Sequence, residues 1–301
     1  MLRVTALVAS AALVAAGCGT SAEPRSAAAP PASAAPPSAG PPASPAAAAS
    51  SSASPLVSSS KKPKPPAAPA HFKTLPPGAK LPSESQCATW VRAKPFKENK
   101  RVNAAANATT GHKVDGSLFS GDSPAAASRI APRITGNFTG TTQTILRWTA
   151  CKWGIDEDLV YAQAAIESWW RQDTLGDWGT DAGACPPGHG LGADGRPGQC
   201  PQSFGVLQDR WPYMKQGWPG YARSTAMAAD IAYAIWRACF EGYETWLNTV
   251  ERGQAYRAGD AWGCIGRWFS GRWHTSAGDG YVTRVKDYLA QRIWTTADFQ
   301  Q

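Results

Sequence analysis

The 301-residue chain contains no Cys-x-x-Cys pair, no close cluster among its four histidines and no Gly-x-Ser-x-Gly segment. Without the first two, zinc lacks the short-spaced His and Cys ligands it needs, so no metal and no cofactor is expected. The third absence argues against an ester or peptide hydrolase built on a nucleophile elbow. Gly188-His189-Gly190, with Gly192 and Gly195, lacks both the preceding strand and the spacing of a phosphate loop. No internal repeat, no alternating strand pair and no apolar run long enough for a permanent membrane span is found.

An apolar run, Val4–Ala16, follows the positive charge of Arg3. It has the length and flank of an export signal over residues 1–17. It ends in Ala15-Ala16-Gly17-Cys18, which resembles the bacterial lipoprotein box, with Ala15 where that box prefers Leu. The resemblance implies a lipid on Cys18 and an exported chain anchored in the membrane of the cell envelope. Six cysteines remain, an even number that in an exported chain points to three disulfides. Fifteen pairings are possible. Cys185–Cys200, which closes a Gly/Pro-rich loop, is expected together with Cys239–Cys264 and Cys87–Cys151.

Residues 18–82 are dominated by Ala, Pro and Ser, a composition that buries too little apolar surface to offset chain entropy. They read as a disordered tether, able to reach roughly 150–200 Å if extended. Net charge is +8, but residues 61–113 carry +9 while residues 114–301 carry −2. The basic strip suits anionic polymers or a plain cationic spacer. Export makes nucleic acid an unsuitable partner. Residues 83–140, with Cys87, Trp90, Val91 and Phe96, read as an irregular extension packed on the domain.

From residue 141 the pattern is helical. Thr141 or Thr142 can cap a helix carrying Ile145, Leu146, Trp148 and Cys151, and Gly154 ends it. Asp156 can cap the next, on which Leu159, Ala162, Ile166 and Trp169 form a core-facing stripe. Ser224 or Thr225 opens a long helix, Asp260 a shorter one, and Tyr281 to Ile293 mark a last amphipathic helix. A long loop covers 172–203. The fold class is mainly α, a helical domain over 141–301 with long disulfide-stapled loops.

Glu167 sits near the end of the second helix beside two tryptophans, where lost solvation raises a carboxyl pKa and leaves an acid able to donate a proton. Arg171, four residues on, offers the competing explanation of an ordinary helix ion pair. Fourteen tryptophans, thirteen beyond residue 147, supply rings for both core and cleft walls.

Ala165-Ile166-Glu167-Ser168-Trp169-Trp170, followed by Ser203-Phe204-Gly205-Val206-Leu207-Gln208, resembles the lysozyme-like lytic transglycosylases. There a Glu-Ser pair closes a helix and a Gly-Leu-Met-Gln segment lines the sugar cleft. Phe204–Gln208 is also similar to the Phe-Gly-Leu-Met-Gln of goose-type lysozymes. The resemblance spans about 141–294 and implies a lysozyme-like fold with Glu167 as general acid. It implies substrate contacts from Ser168, Gln208, Phe204 and Gly205. Trp169 and Trp170 cannot both face inward on a helix, so at least one of them, with Trp170 the candidate, borders the site. Trp268-Phe269-Ser270-Gly271 is a loose counterpart of the family's Ala-Tyr-Asn-Ala-Gly, with Phe269 in the place of Asn; Trp268 and Ser270 join the candidate contacts.

The implied activity is a lytic transglycosylase that cleaves the bond between N-acetylmuramic acid and N-acetylglucosamine in peptidoglycan and leaves 1,6-anhydro ends. A muramidase is the alternative and needs a second carboxylate, for which Asp177 and Asp209 are candidates. A non-catalytic wall-binding module is the third reading, favoured by the missing Asn at 269. The expected partners are glycan strands and, through Cys18, a membrane, with the chain acting as a monomer.

Overall fold

Each main helix begins on a side chain that accepts a hydrogen bond from an otherwise unpaired backbone N–H. In the computed structural model, which describes residues 67–300 except 99, 120–122 and 250–254, these caps are Ser83, Thr141, Asp156, Ser224, Asp260 and Thr275. They open α1 (Glu84–Arg92), α4 (Thr142–Trp153), α5 (Glu157–Ser168), α7 (Thr225–Phe240), α8 (Ala261–Ser270) and α9 (Ser276–Gln291). Between them lie the short helices α2 (Ala104–Asn107), α3 (Pro124–Arg129) and α6 (Gly220–Arg223), and α10 (Ala297–Gln300) follows α9. The export signal, Cys18 and the tether up to residue 66 lie outside the described residues. No described helix is long and apolar enough to cross a membrane.

The protein is mainly helical, as the sequence predicts, and carries three disulfides. They join Cys87 to Cys151, Cys185 to Cys200 and Cys239 to Cys264. The first ties α1 to α4, and the third ties the end of α7 to α8.

Three features differ from the sequence reading. First, two-residue strands β1 (Leu175–Gly176), β2 (Ser203–Phe204) and β3 (Asp209–Arg210) form an antiparallel sheet in the order β1-β2-β3. Strands that short leave no alternation to detect.

Second, residues 83–140 pack on the domain as expected but are not irregular throughout. They hold α1 to α3, and Val114, Leu118, Phe119, Ile130 and Ile134 join the main core. α2 and α3 are too short and too rich in Ala to show an amphipathic period, and α1 has only nine residues.

Third, residues 67–82 belong to the domain and not to the tether. Phe72 is buried, and its backbone N–H donates to Glu157 Oε2 while its carbonyl accepts from the Glu157 N–H. Arg147 donates to the carbonyls of Pro69 and Ala70. Arg237, fully buried, donates at 2.9 Å to the carbonyls of Leu75 and Pro76. Composition hid this because the strap is held through its backbone carbonyls, which any residue supplies.

α7 is buried along its whole length and packs on α4, α6 and α8. The residues of α5 from Leu159 to Ala165 are all buried, so it has no single core-facing stripe. α4 and α9 pack against it, and α8 packs against α9.

Candidate active site

The site is built where α5 ends. Trp169 and Trp170 both adopt left-handed backbone, with φ of 57° and 59°. Such angles are uncommon for bulky residues and persist only when the surroundings enforce them. Here Trp170 is wholly buried and its indole N–H donates to the Tyr161 carbonyl at 2.9 Å. The reversal carries Arg171 away from Glu167, and its guanidinium forks onto Asp173 at 2.9 and 3.1 Å. The helix ion pair that composition offered for Glu167 therefore does not form.

Ser168 locks the next element in place. Its hydroxyl donates to the Val206 carbonyl at 2.9 Å, joining the end of α5 to the β2–β3 turn. Gln172, also buried, accepts from the Val206 N–H and donates to the Tyr221 carbonyl. Gly205 has φ +79°, and a Cβ there would lie 2.5 Å from Gln172 Nε2, so both conformation and space require glycine. Gln208, likewise left-handed, donates from its side chain to the carbonyls of Gly205 and Thr174. Its Oε1 rests on Gly176, where a Cβ would stand only 2.1 Å away.

These elements form one wall of a cleft of about 770 Å³. Glu167, Asp177, Gln208, Trp268 and Ser270 all line it. Ser168, Phe204, Gly205, Trp170 and Asp209 do not. Phe204 is buried against Trp218 and His189. Ser168 and Gly205 hold the wall from behind, and Trp170 fills the core. Aromatic and small residues beside an acid serve the core as readily as a cleft, and spacing alone does not distinguish the two. The stapled loop that carries Cys185 and Cys200 contributes no lining residue between 178 and 202.

Glu167 reaches the cleft but is surrounded by protein on its other sides, so its charged form is poorly solvated. Burial pushes its pKa from 4.5 to about 7 against the pull of hydrogen bonds from Tyr281 and Trp268. The negative charge of Asp177 adds to the rise and Arg284 opposes it. The Tyr281 hydroxyl donates to Glu167 Oε1 at 2.5 Å. Burial, and then the neighbouring Glu167 charge, hold the Tyr281 phenol well above its usual range, so it stays a donor. Tyr281 is the residue sequence reasoning missed. The signal was available: a tyrosine on the buried stripe of α9 needs a partner for its hydroxyl.

The two candidate second carboxylates part company. Asp177 is half-exposed in the cleft, accepts a hydrogen bond from the Ser203 hydroxyl, and lies 3.6 Å from Arg210 Nε. Asp209 is fully buried with neither carboxyl oxygen hydrogen-bonded. Burial drives its pKa well up, and the neighbouring Glu167 charge adds to the rise.

Away from the cleft, His71, Asp156 and Asp158 bring ligand atoms within 4.8 Å of one another. Lys73 and Arg292 already pair with the two carboxylates, at 3.1 and 2.6 Å, so the group is a closed ion-pair cluster.

No family model, no curated protein and no solved structure matches this chain.

Proposed function

We propose that the protein cleaves peptidoglycan glycan strands as a lytic transglycosylase of lysozyme-like type, with Glu167 as acid and then base. The observation that carries this reading is a cleft-lining carboxyl with a pKa near 7, held by Tyr281 and Trp268 and without an ion-pair partner among the described residues. A group poised there is protonated for half of its time at neutral pH and serves both halves of a proton cycle. Glu167 gives its proton to the glycosidic oxygen as the bond to the anomeric carbon breaks. The carboxylate then takes the proton from the C6 hydroxyl of the muramyl sugar, and O6 closes on the anomeric carbon. The product is a 1,6-anhydro end, and no water is consumed.

The position of Asp177 favours a second reading. A carboxylate in the same cleft could activate water, as a hydrolase requires. In the transglycosylase reading Asp177 acts only by its charge, which keeps Glu167 protonated.

Around this chemistry we place an exported lipoprotein, anchored through Cys18, whose tether lets the domain work at a distance inside the wall. Its partners would be the glycan strand and the membrane, with no cofactor.

Digestion of purified peptidoglycan followed by mass spectrometry separates the readings. Anhydro ends are expected; reducing ends would indicate the muramidase, and intact strands a binding module. Glu167→Gln is expected to lose at least about a hundredfold in rate with the fold retained. Activity retained in that variant would overturn the assignment.

A further inference from the structure

Among the described residues, Val102, Leu191, Tyr213 and Phe269 are the large apolar side chains left exposed. Two of the four, Tyr213 and Phe269, line the cleft that holds Glu167. Exposed rings gathered at one polar cleft need an explanation that scattered surface residues do not.

Both rings are held from one side and open on the other. Phe269, 50% exposed, stacks face to face on Tyr281, with centroids 4.8 Å apart and planes 5° from parallel. The Arg284 guanidinium lies 5.7 Å from each of those two rings. Tyr213, 69% exposed, has the Arg210 guanidinium 5.4 Å from its centroid. Supported rings lose little side-chain entropy when a ligand lands on them, which favours a binding role over a loose surface one.

We infer that Phe269 and Tyr213 are stacking platforms for the pyranose rings of a β-1,4-linked, N-acetylated amino-sugar strand, an inference that rests on the glycan-cleaving function proposed above. A pyranose in its chair form presents axial C–H bonds on its faces and hydroxyl groups around its edge. Such a ligand covers an aromatic face while its rim meets polar side chains, here Gln208, Asp177 and Glu167. Phe269 therefore takes a different task from the Asn that it replaces in the resembling motif. Because its inner face rests on Tyr281, a sugar seated on Phe269 lies one ring away from the phenol that holds Glu167.

The test uses the full chain carrying Glu167→Gln, which should bind strands without cutting them. Its affinity for a hexamer of β-1,4-linked N-acetylglucosamine is measured by calorimetry, beside that for a free peptidoglycan stem peptide. Adding Phe269→Ala or Tyr213→Ala is expected to weaken hexamer binding at least fivefold each. Phe269→Trp and Tyr213→Phe, which keep a ring, should stay within twofold, and Leu191→Ala, on the disulfide-stapled loop, should change nothing. Hexamer affinity unmoved by both alanine variants would overturn the inference while leaving the cleavage reading intact. So would a loss confined to the stem peptide, which would assign the rings to the peptide. A Glu167→Gln chain that binds no hexamer, together with a parent that cuts no strand, would overturn both.

Discussion

Glu167→Gln should make the protein more stable at pH 8 and not at pH 4. The carboxyl has a pKa of about 7 in the folded protein against 4.5 for the group in water. A carboxyl whose folded pKa is raised contributes its full stability below the unfolded value, and that stability is lost as pH rises toward the folded value. Between pH 4.5 and 7 the unfolded chain gives up the proton while the folded chain keeps it. Each pH unit in that window costs about 1.4 kcal/mol. Across the window the loss is roughly 3 kcal/mol, and above pH 7 both states are ionised and the loss stays constant.

Gln cannot ionise and can still accept from Tyr281, so the variant escapes this loss. Urea denaturation of both proteins from pH 4 to 9, followed by tryptophan fluorescence, reads the difference without screening charges. The expected curves converge near pH 4 apart from a constant offset, then separate in favour of Glu167→Gln, by about 3 kcal/mol at pH 8. For a domain of this size that corresponds to a melting temperature higher by roughly 6–12 °C. Parallel curves, or a variant losing ground as pH rises, would show that Glu167 is solvated like a surface carboxyl. The acid assignment would lose its physical basis.

The neighbours of Glu167 should move its titration in opposite directions. Tyr281→Phe removes a hydrogen bond to a charged group, about 1.5–3 kcal/mol, so the alkaline limb of kcat/KM on peptidoglycan should rise by one to two pH units. Asp177→Asn removes a repelling charge and should lower that limb; a transglycosylase would keep most of its rate, whereas a hydrolase would lose about a hundredfold or more. A chain starting at Ser83 should melt far below one starting at Ala67, by circular dichroism, because the buried guanidiniums of Arg147 and Arg237 lose the carbonyls of residues 69–76. Gly205→Ala, at φ +79° and with its Cβ against Gln172, should cost at least about 1–3 kcal/mol in denaturation and depress activity by shifting the wall that carries Gln208.

Much of the fold was legible because its signals are local. A capping side chain acts within three residues: Asp156 and Asp260 start the helices assigned to them, and Thr141 and Ser224 are the members of the Thr141/Thr142 and Ser224/Thr225 pairs that do so. What the sequence hid is non-local. The Tyr281 hydroxyl meets Glu167 across 114 residues of chain, and only the packing of α9 on α5 brings them together. The strap at 67–82 looked like tether because Ala and Pro dominate it; what holds it is Arg147 and Arg237, far along the chain. Asp209 and Asp177 were equivalent on paper. The pleat separates them: β3 turns Asp209 inward behind the wall, while Asp177 follows β1 into the cleft.

The ending of α5 is what makes Glu167 chemically distinctive. Had the helix run one turn further, Arg171 would stand at i+4 on the same face, and an adjacent guanidinium would hold the carboxyl low. It would then be ionised at neutral pH and have no proton to give. The left-handed pair Trp169–Trp170 prevents this, because burial of Trp170 turns the chain and leaves Arg171 to Asp173. The same reversal lets Ser168 reach the Val206 carbonyl and draws the β2–β3 turn against the helix end, fixing Gln208 beside the acid. One backbone event thus removes the neutralising cation and builds the cleft wall that carries Gln208. The strain of two tryptophans at positive φ is concentrated beside Glu167, and the buried contacts of Trp170 offset it.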